Sequence, residues 1–268
     1  MIDAFTLDVV GLVASFTFLI YSSWSDIMTR EVSDRVWMIF YPVGIVLTVI
    51  RLVAQVGSWQ QILLSVAITV AISLLLPYLG LWGGADGKGF ICLALMNPVV
   101  PAVGGDVFRI VDPLFPVVVF SNAYVASLCA VLYPVQRNLR TQRGKTLFEG
   151  FEHESLLHKV TALFTGYRVR VDELDSKPYL FLLESVHLLE SKVERSFKFT
   201  FRIDLDYSNQ LAEVKRAAEL GLLPGGVWAS PGLPFLVFVT LGLAISLLLG
   251  DIVWSLVSTV MHAIAFMI

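Results

Sequence analysis

Asp26 and Asp86 are the residues whose type and placing could do chemistry. Asp26 closes a long apolar run in Trp24-Ser25-Asp26-Ile27-Met28-Thr29-Arg30-Glu31-Val32. Asp86 lies between two further apolar runs, in Leu81-Trp82-Gly83-Gly84-Ala85-Asp86-Gly87-Lys88. Ionisable groups at membrane depth are costly to hold, which makes them functional candidates by default. Two carboxylates brought within a few ångströms cannot both ionise readily. One then keeps a proton as general acid, while the other takes a proton from water as general base. That division of labour hydrolyses an amide bond. Each acid also has an ordinary structural use. Asp26 can pair with Arg30 four residues on, worth only about 0.3–0.5 kcal/mol, and Asp86 can cap a helix after the glycines. Spacing alone leaves the chemical and structural readings about level.

The elements that must position these acids are membrane helices. Apolar residues make up 56% of the 268-residue chain and charged residues 15%, with a mean hydropathy of +0.76. Globular domains run at about 45–50% apolar and about 25% charged. Of the 41 charges, 27 fall between Gln136 and Ala229, so a soluble insert interrupts an otherwise apolar chain. This excludes a disordered chain, a secreted disulfide scaffold and a lone soluble domain. A net charge of −3 does not suggest nucleic acid as a partner. Cys92 and Cys129 sit in apolar runs, too far apart for a thiolate metal motif. Asp3 and Asp8 make the N-terminus acidic, so the first apolar run is expected to be a retained helix and not a cleaved signal.

The predicted fold class is an all-α polytopic membrane protein of about six transmembrane helices with an inserted small α+β cytoplasmic domain. A span needs roughly 20 apolar residues, and the candidates are 9–25, 36–53, 61–82, 90–103, 114–133 and 234–250. The fourth is short, and 252–268 is expected to extend the sixth helix, lie in the interface or span separately. The domains are then 1–135, with five helices and both acids, 136–229, soluble, and 230–268, the last helix and its extension. Lys/Arg in the loops orient the chain. With the N-terminus outside, Arg30, Arg35, Lys88, Arg137, Arg140, Arg143 and Lys145 are inside, and only Arg51 and Arg109 outside. Within the insert, 149–164 has helical periodicity, 179–183 and 196–203 read as strands, and 211–220 is a charged helix ended by Gly221. The stretch 224–234 returns the chain to the membrane.

The wider pattern resembles the prepilin peptidase-like aspartic membrane proteases, specifically the archaeal preflagellin (archaellin) and prepilin peptidases. Their first acid opens an Asp-x-x-x-Arg-x-Val/Ile element, matched by Asp26, Arg30 and Val32. Their second ends a Gly-x-Gly-Asp element with lysine two residues on, matched by Gly83, Asp86 and Lys88. Val227-Trp228-Ala229-Ser230-Pro231-Gly232-Leu233-Pro234-Phe235 is similar to that family's approach to its last helix. Ala85 departs from the pattern where glycine would let the backbone approach closely. The resemblance implies that Asp26 and Asp86 are catalytic, that Gly83, Gly84 and Ala85 lie on the substrate approach, and that Lys88 and Arg30 shape the local charge. It implies a plasma-membrane endopeptidase whose site faces the cytoplasm and needs no metal or organic cofactor. Its partners would be the bilayer and precursors with a short basic leader and a hydrophobic helix. Bacterial relatives also N-methylate the new terminus and often carry a cysteine-rich segment; without those cysteines, peptidase activity alone is expected.

Other motifs carry less. His153 and His158 are five apart, so on a helix they point about 140° from one another and cannot share a metal as an i,i+4 pair would. Gly104-Gly105-Asp106 reads as an outer turn, and Asp251, His187 and His262 as ordinary interfacial or amphipathic residues. Two alternatives stand beside the main reading. In a presenilin or signal-peptide-peptidase type of protease the acids sit within adjacent late helices, whereas Asp26 ends the first. A non-enzymatic transporter or pilus-assembly scaffold would want acids deeper in the bilayer.

Overall fold

Asp3 starts the first helix by accepting a hydrogen bond from the Thr6 N–H at 3.1 Å, and α1 covers Ala4–Thr29. It stops where Arg30 turns left-handed, with φ of 59°. The Ser25 and Thr29 hydroxyls hold that turn by donating to the Glu31 carbonyl at 2.7 and 2.9 Å. Then come α2 (Asp34–Val53), α3 (Trp59–Tyr78), α4 (Gly84–Met96) and α5 (Phe115–Thr141), with α9 (Phe235–Leu248) and α10 (Ile252–Met267) at the end of the chain. The computed structural model describes residues 3–79, 82–104, 107, 110, 113–141, 147–177, 179–189, 192–199 and 205–267. Leu81, Gly105, Asp106, Arg109, Arg143 and Lys145, and residues 200–203 of the expected strand at 196–203, lie outside them.

Among the described residues four helices, α1, α2, α3 and α5, are long and apolar enough to cross a membrane. Of the six expected spans these account for four, while the other two form the shorter helices α4 and α9, and the last apolar stretch forms α10. The anticipated span at 90–103 stops at Met96 because Asn97 precedes Pro98, and a residue before proline is driven out of the helical region. Asn97 takes φ −134° and ψ 70°, and its amide donates to the Gly11 carbonyl at 3.3 Å and the Ser15 hydroxyl at 2.7 Å. The last apolar stretch is a helix in its own right and not an extension of α9. Gly250 at φ 91° breaks the chain, and Asp251 starts α10 by accepting from the Trp254 N–H at 2.9 Å.

The chain divides within α5 into two units, Met1–Ser127 with Pro234–Ile268, and Leu128–Leu233. The centre of the first is α4. Its Phe90, Cys92, Leu93 and Met96 are buried in one cluster with Phe18 and Leu19 of α1, Trp37 and Leu47 of α2, and Leu236 and Val239 of α9. Lipid is as apolar as these side chains, so close van der Waals packing must hold the helices together. Gly87 makes it possible: a Cβ there would stand 2.6 Å from the Ser73 carbonyl oxygen of α3. An ion pair is buried in the same unit. Arg51 Nη1 lies 2.8 Å from Asp8 Oδ1, and Asp8 Oδ2 accepts from the Ala102 N–H at 2.8 Å. Arg51, counted in a loop by the sequence reading, is in fact in the last turn of α2 and almost wholly buried.

The second unit is α+β. It contains α6 (Leu156–Thr165), α7 (Val171–Ser176) and α8 (Leu205–Glu219). A three-stranded antiparallel sheet has the order β1 (Tyr167–Val169), β5 (Val227–Pro231), β2 (Leu180–Leu182). A hairpin pairs β3 (Glu184–Leu189) with β4 (Lys192–Phe197), Val186 opposite Arg195. The helix foreseen from 149 begins only at Leu156, because Gly150 is at φ 85° and Ser155 caps the helix by accepting from the His158 N–H at 3.2 Å. The strand foreseen at 196–203 is already ending at Phe197, while Val227–Pro231, read as a return loop, is the central strand. Gly221, at φ 70°, follows the end of α8 as its type implies. Glu184 is fully buried. Arg195 Nη2 donates to both its oxygens, at 2.8 and 2.9 Å, and the Trp228 N–H donates at 3.2 Å.

Candidate active site

Asp26 sits in the last turn of α1, half-buried, and its carbonyl accepts the Arg30 N–H at 3.2 Å. The left-handed turn at Arg30 keeps that cation beside the acid, where its charge acts on the Asp26 carboxylate. Asp86 is the third residue of α4. It is not the cap itself: Gly83 is, with extended backbone, and the Gly83 N–H donates to Asp86 Oδ2 at 3.0 Å. One of the donors that every helix start leaves unpaired is satisfied this way.

The turn before Asp86 is held by aromatic packing that the sequence reading missed. Trp82 Nε1 donates to the Tyr124 hydroxyl at 3.0 Å. Its ring lies 5.7 Å from Phe90, 5.4 Å from Phe120 and 5.2 Å from Phe235. Residues of α4, α5 and α9 thus fix the point at which the chain enters α4. The only sequence signal was a lone tryptophan before two glycines, since apart from Phe90 its partners Phe120, Tyr124 and Phe235 come from distant parts of the chain.

These placements bring the two acids within electrostatic reach of one another, although 60 positions separate them in the chain. The other motif residues are disposed around them. Nothing would meet a Cβ at Gly84 within 4 Å. Ala85 is helical, and its methyl group packs against the apolar core, so alanine is accommodated without strain. Lys88 points to α2, where its Nζ lies 2.6 Å from Asp34 Oδ1. Asp34 was not singled out from the sequence; its place after Ser33, at a helix start, was the available clue. Lys88, Asp34, Trp37 and Tyr41 border an open groove, and the Tyr41 hydroxyl donates to the Lys88 carbonyl at 3.3 Å.

The remaining candidates have local partners. His158 lies 2.6 Å from Glu154, His187 is 3.6 Å from Glu213, and His262 is 2.6 Å from the Ser258 carbonyl. Asp251 caps α10.

Two family models match this chain. Residues 13–135 match the type IV leader peptidase family, and residues 158–252 match the archaeal peptidase A24 C-terminus, type II. The chain belongs to the type IV leader peptidase family. It is also similar to the preflagellin peptidase of Methanococcus voltae, 26% identical over 251 residues, which cover 89% of this chain and 94% of that protein. Asp26 and Asp86 both fall inside the first match, and the strands of the α+β unit inside the second. This leader peptidase therefore carries Asp26 and Asp86 and the strands of its α+β unit in separately matched parts of one chain.

Proposed function

We propose that this membrane peptidase removes the short basic leader from type IV pilin-like precursors, archaellins among them, with Asp26 and Asp86 as an acid–base pair. The observation that carries the reading is the placing of Asp26 at the end of α1 and Asp86 at the start of α4, helices buried in one cluster, in a chain matched to the leader peptidase family. Membership and the likeness to a preflagellin peptidase support the substrate class.

In the proposed reaction, the ionised carboxylate takes a proton from water as the water oxygen attacks the scissile carbonyl carbon. The protonated acid stabilises the developing oxyanion and then supplies the proton that lets the amine leave. General acid–base catalysis of this kind contributes about 10²–10⁴-fold. The Gly83 N–H orients Asp86, and the positive Arg30 stands by Asp26. A basic leader complements the acidic pair, and its hydrophobic helix would remain in the bilayer. By the loop charges, cleavage takes place at the cytoplasmic face.

Co-expression with a panel of pilin and archaellin precursors, followed by mass measurement, tests the activity. Loss of the leader at one bond is the expected product, and intact precursors throughout would refute the reading. A cysteine at Thr141 should label only from the cytoplasm and one at Gly105 only from outside. The opposite pattern would refute the orientation alone.

A further inference from the structure

α6 carries an apolar stripe that faces away from its own unit. At roughly 100° per residue, Leu163, Leu156, Val160, Phe164 and Leu157 fall within one arc of about 120°. Leu156 is 80% exposed, Leu157 72%, Val160 41% and Phe164 44%, whereas Ala162, on the opposite side, is fully buried. Helices that merely cover a soluble core present the reverse arrangement.

The C-terminal end of this helix is gripped by both segments through which the chain leaves and re-enters the membrane. Asn138 of α5 is buried and donates to the Leu163 carbonyl at 3.2 Å and the Gly166 carbonyl at 2.8 Å. Ser230 of β5, a few residues before α9, donates to the Thr165 carbonyl at 2.7 Å. Around Asn138, α5 exposes Leu132, Tyr133 and Leu139 and carries Arg137 and Arg140. Arg137 lies over the Tyr167 ring, 4.0 Å from its centroid, and Tyr133 packs edge-on against the same ring, so the exposed Leu132 and Leu139 with the exposed cation Arg140 mark the helix leaving the bilayer. Asn138 follows Tyr133 by about 7–8 Å of helix rise, which puts the end of α6 at headgroup depth.

From these contacts we infer that α6 is an in-plane anchor, its Leu156–Leu157–Val160–Phe164 stripe seated in the headgroup region of the bilayer that the chain spans. Amphipathic helices bind in this way, with the apolar face sunk about 5–10 Å into the boundary between headgroups and acyl chains. The sequence around the end of α5, with Arg137, Arg140, Arg143 and Lys145, suits an anionic lipid surface. The anchor holds the α+β unit against the membrane without calling on the acid pair.

The test uses the full chain with Cys92→Ala and Cys129→Ala, one copy per lipid nanodisc of phosphatidylcholine and phosphatidylglycerol, without precursor. Spin labels are placed in turn at Leu157→Cys, Val160→Cys and, on the opposite side of the helix, Thr165→Cys. Collision rates are read with oxygen, which concentrates in lipid, and with a water-soluble nickel chelate. The expected oxygen-to-nickel ratio is several-fold higher at positions 157 and 160 than at 165. Equal nickel access at all three sites overturns the proposal. So does exclusion of both reagents at 157 and 160, which means packing on protein. Protection that appears only with added precursor, or only with two copies per disc, assigns the stripe to those partners and overturns it too.

Discussion

The Gly83 N–H donates to Asp86 Oδ2 at 3.0 Å, so the carboxylate proposed to work on substrate also closes the first turn of α4. The two duties can be separated by substitution. Asp86→Asn keeps an oxygen acceptor for that N–H and should fold normally, yet lose cleavage by roughly 10²–10⁴-fold, as should Asp26→Asn. Asp86→Ala should lose cleavage and about 1 kcal/mol of stability besides. Asp251→Asn is the control, because asparagine caps a helix as well as aspartate does. Precursor processing and thermal unfolding in detergent read the two effects. Near-normal processing by Asp26→Asn or Asp86→Asn would remove the acid pair from the mechanism.

Cysteines at positions 26 and 86 should cross-link through a short flexible bridge, and faster with a leader-peptide inhibitor bound. Catalytic geometry often tightens only when substrate is present. Cross-linking that never occurs, with or without the inhibitor, means the two side chains do not share a crevice.

The glycines around Asp86 should differ sharply in tolerance. Gly87→Ala sets a methyl group 2.6 Å from the Ser73 carbonyl, so α3 and α4 must part, at a cost of about 1–3 kcal/mol. Gly84→Ala meets nothing within 4 Å and should leave the melting temperature nearly unchanged. Equal melting temperatures for the two variants would contradict the packing of α4.

Asp8 and Arg51 form an ion pair buried on both sides. Arg51→Met alone strands the carboxylate and should cost about 3–5 kcal/mol, whereas Asp8→Asn with Arg51→Met should recover much of that. The asparagine still offers an oxygen to the Ala102 N–H. Denaturation of the single and double variants checks this; a double variant no better than the single one would argue against an energetic pair.

Acid should loosen the α+β unit near Phe197. Burial tends to raise the Glu154 carboxyl, but hydrogen bonds from His158 and from the Phe197 N–H outweigh it and hold the group below its ordinary 4.5. A group lowered on folding stabilises fully above its unfolded pKa and loses that contribution as pH falls through the folded one. Exchange protection of the Phe197 amide should therefore drop as pH falls below 4.5, the ordinary value, and Glu154→Gln should flatten the profile. A profile unchanged by that substitution would assign the loosening to other groups.

The sequence by itself determined what local chemistry decides. Its apolar composition required a membrane, its charge distribution marked a soluble insert, and acids at the ends of apolar runs singled out Asp26 and Asp86. Gly221 marked the end of α8, because a left-handed residue there is cheapest as glycine. Pairings between distant residues were decided only by the tertiary structure. Arg51 looked like a loop cation until its partner, 43 positions earlier, stood beside it. Val227–Pro231 looked like a connector because its partners, β1 and β2, lie far back along the chain. Trp82 gained its role from rings on α4, α5 and α9, and Lys88 was turned to Asp34 by the packing of α4 on α2. The periodicity of α6 shows an apolar stripe but not the side it faces, since 3.6 residues per turn orders side chains around one axis and carries no information about what lies beyond it.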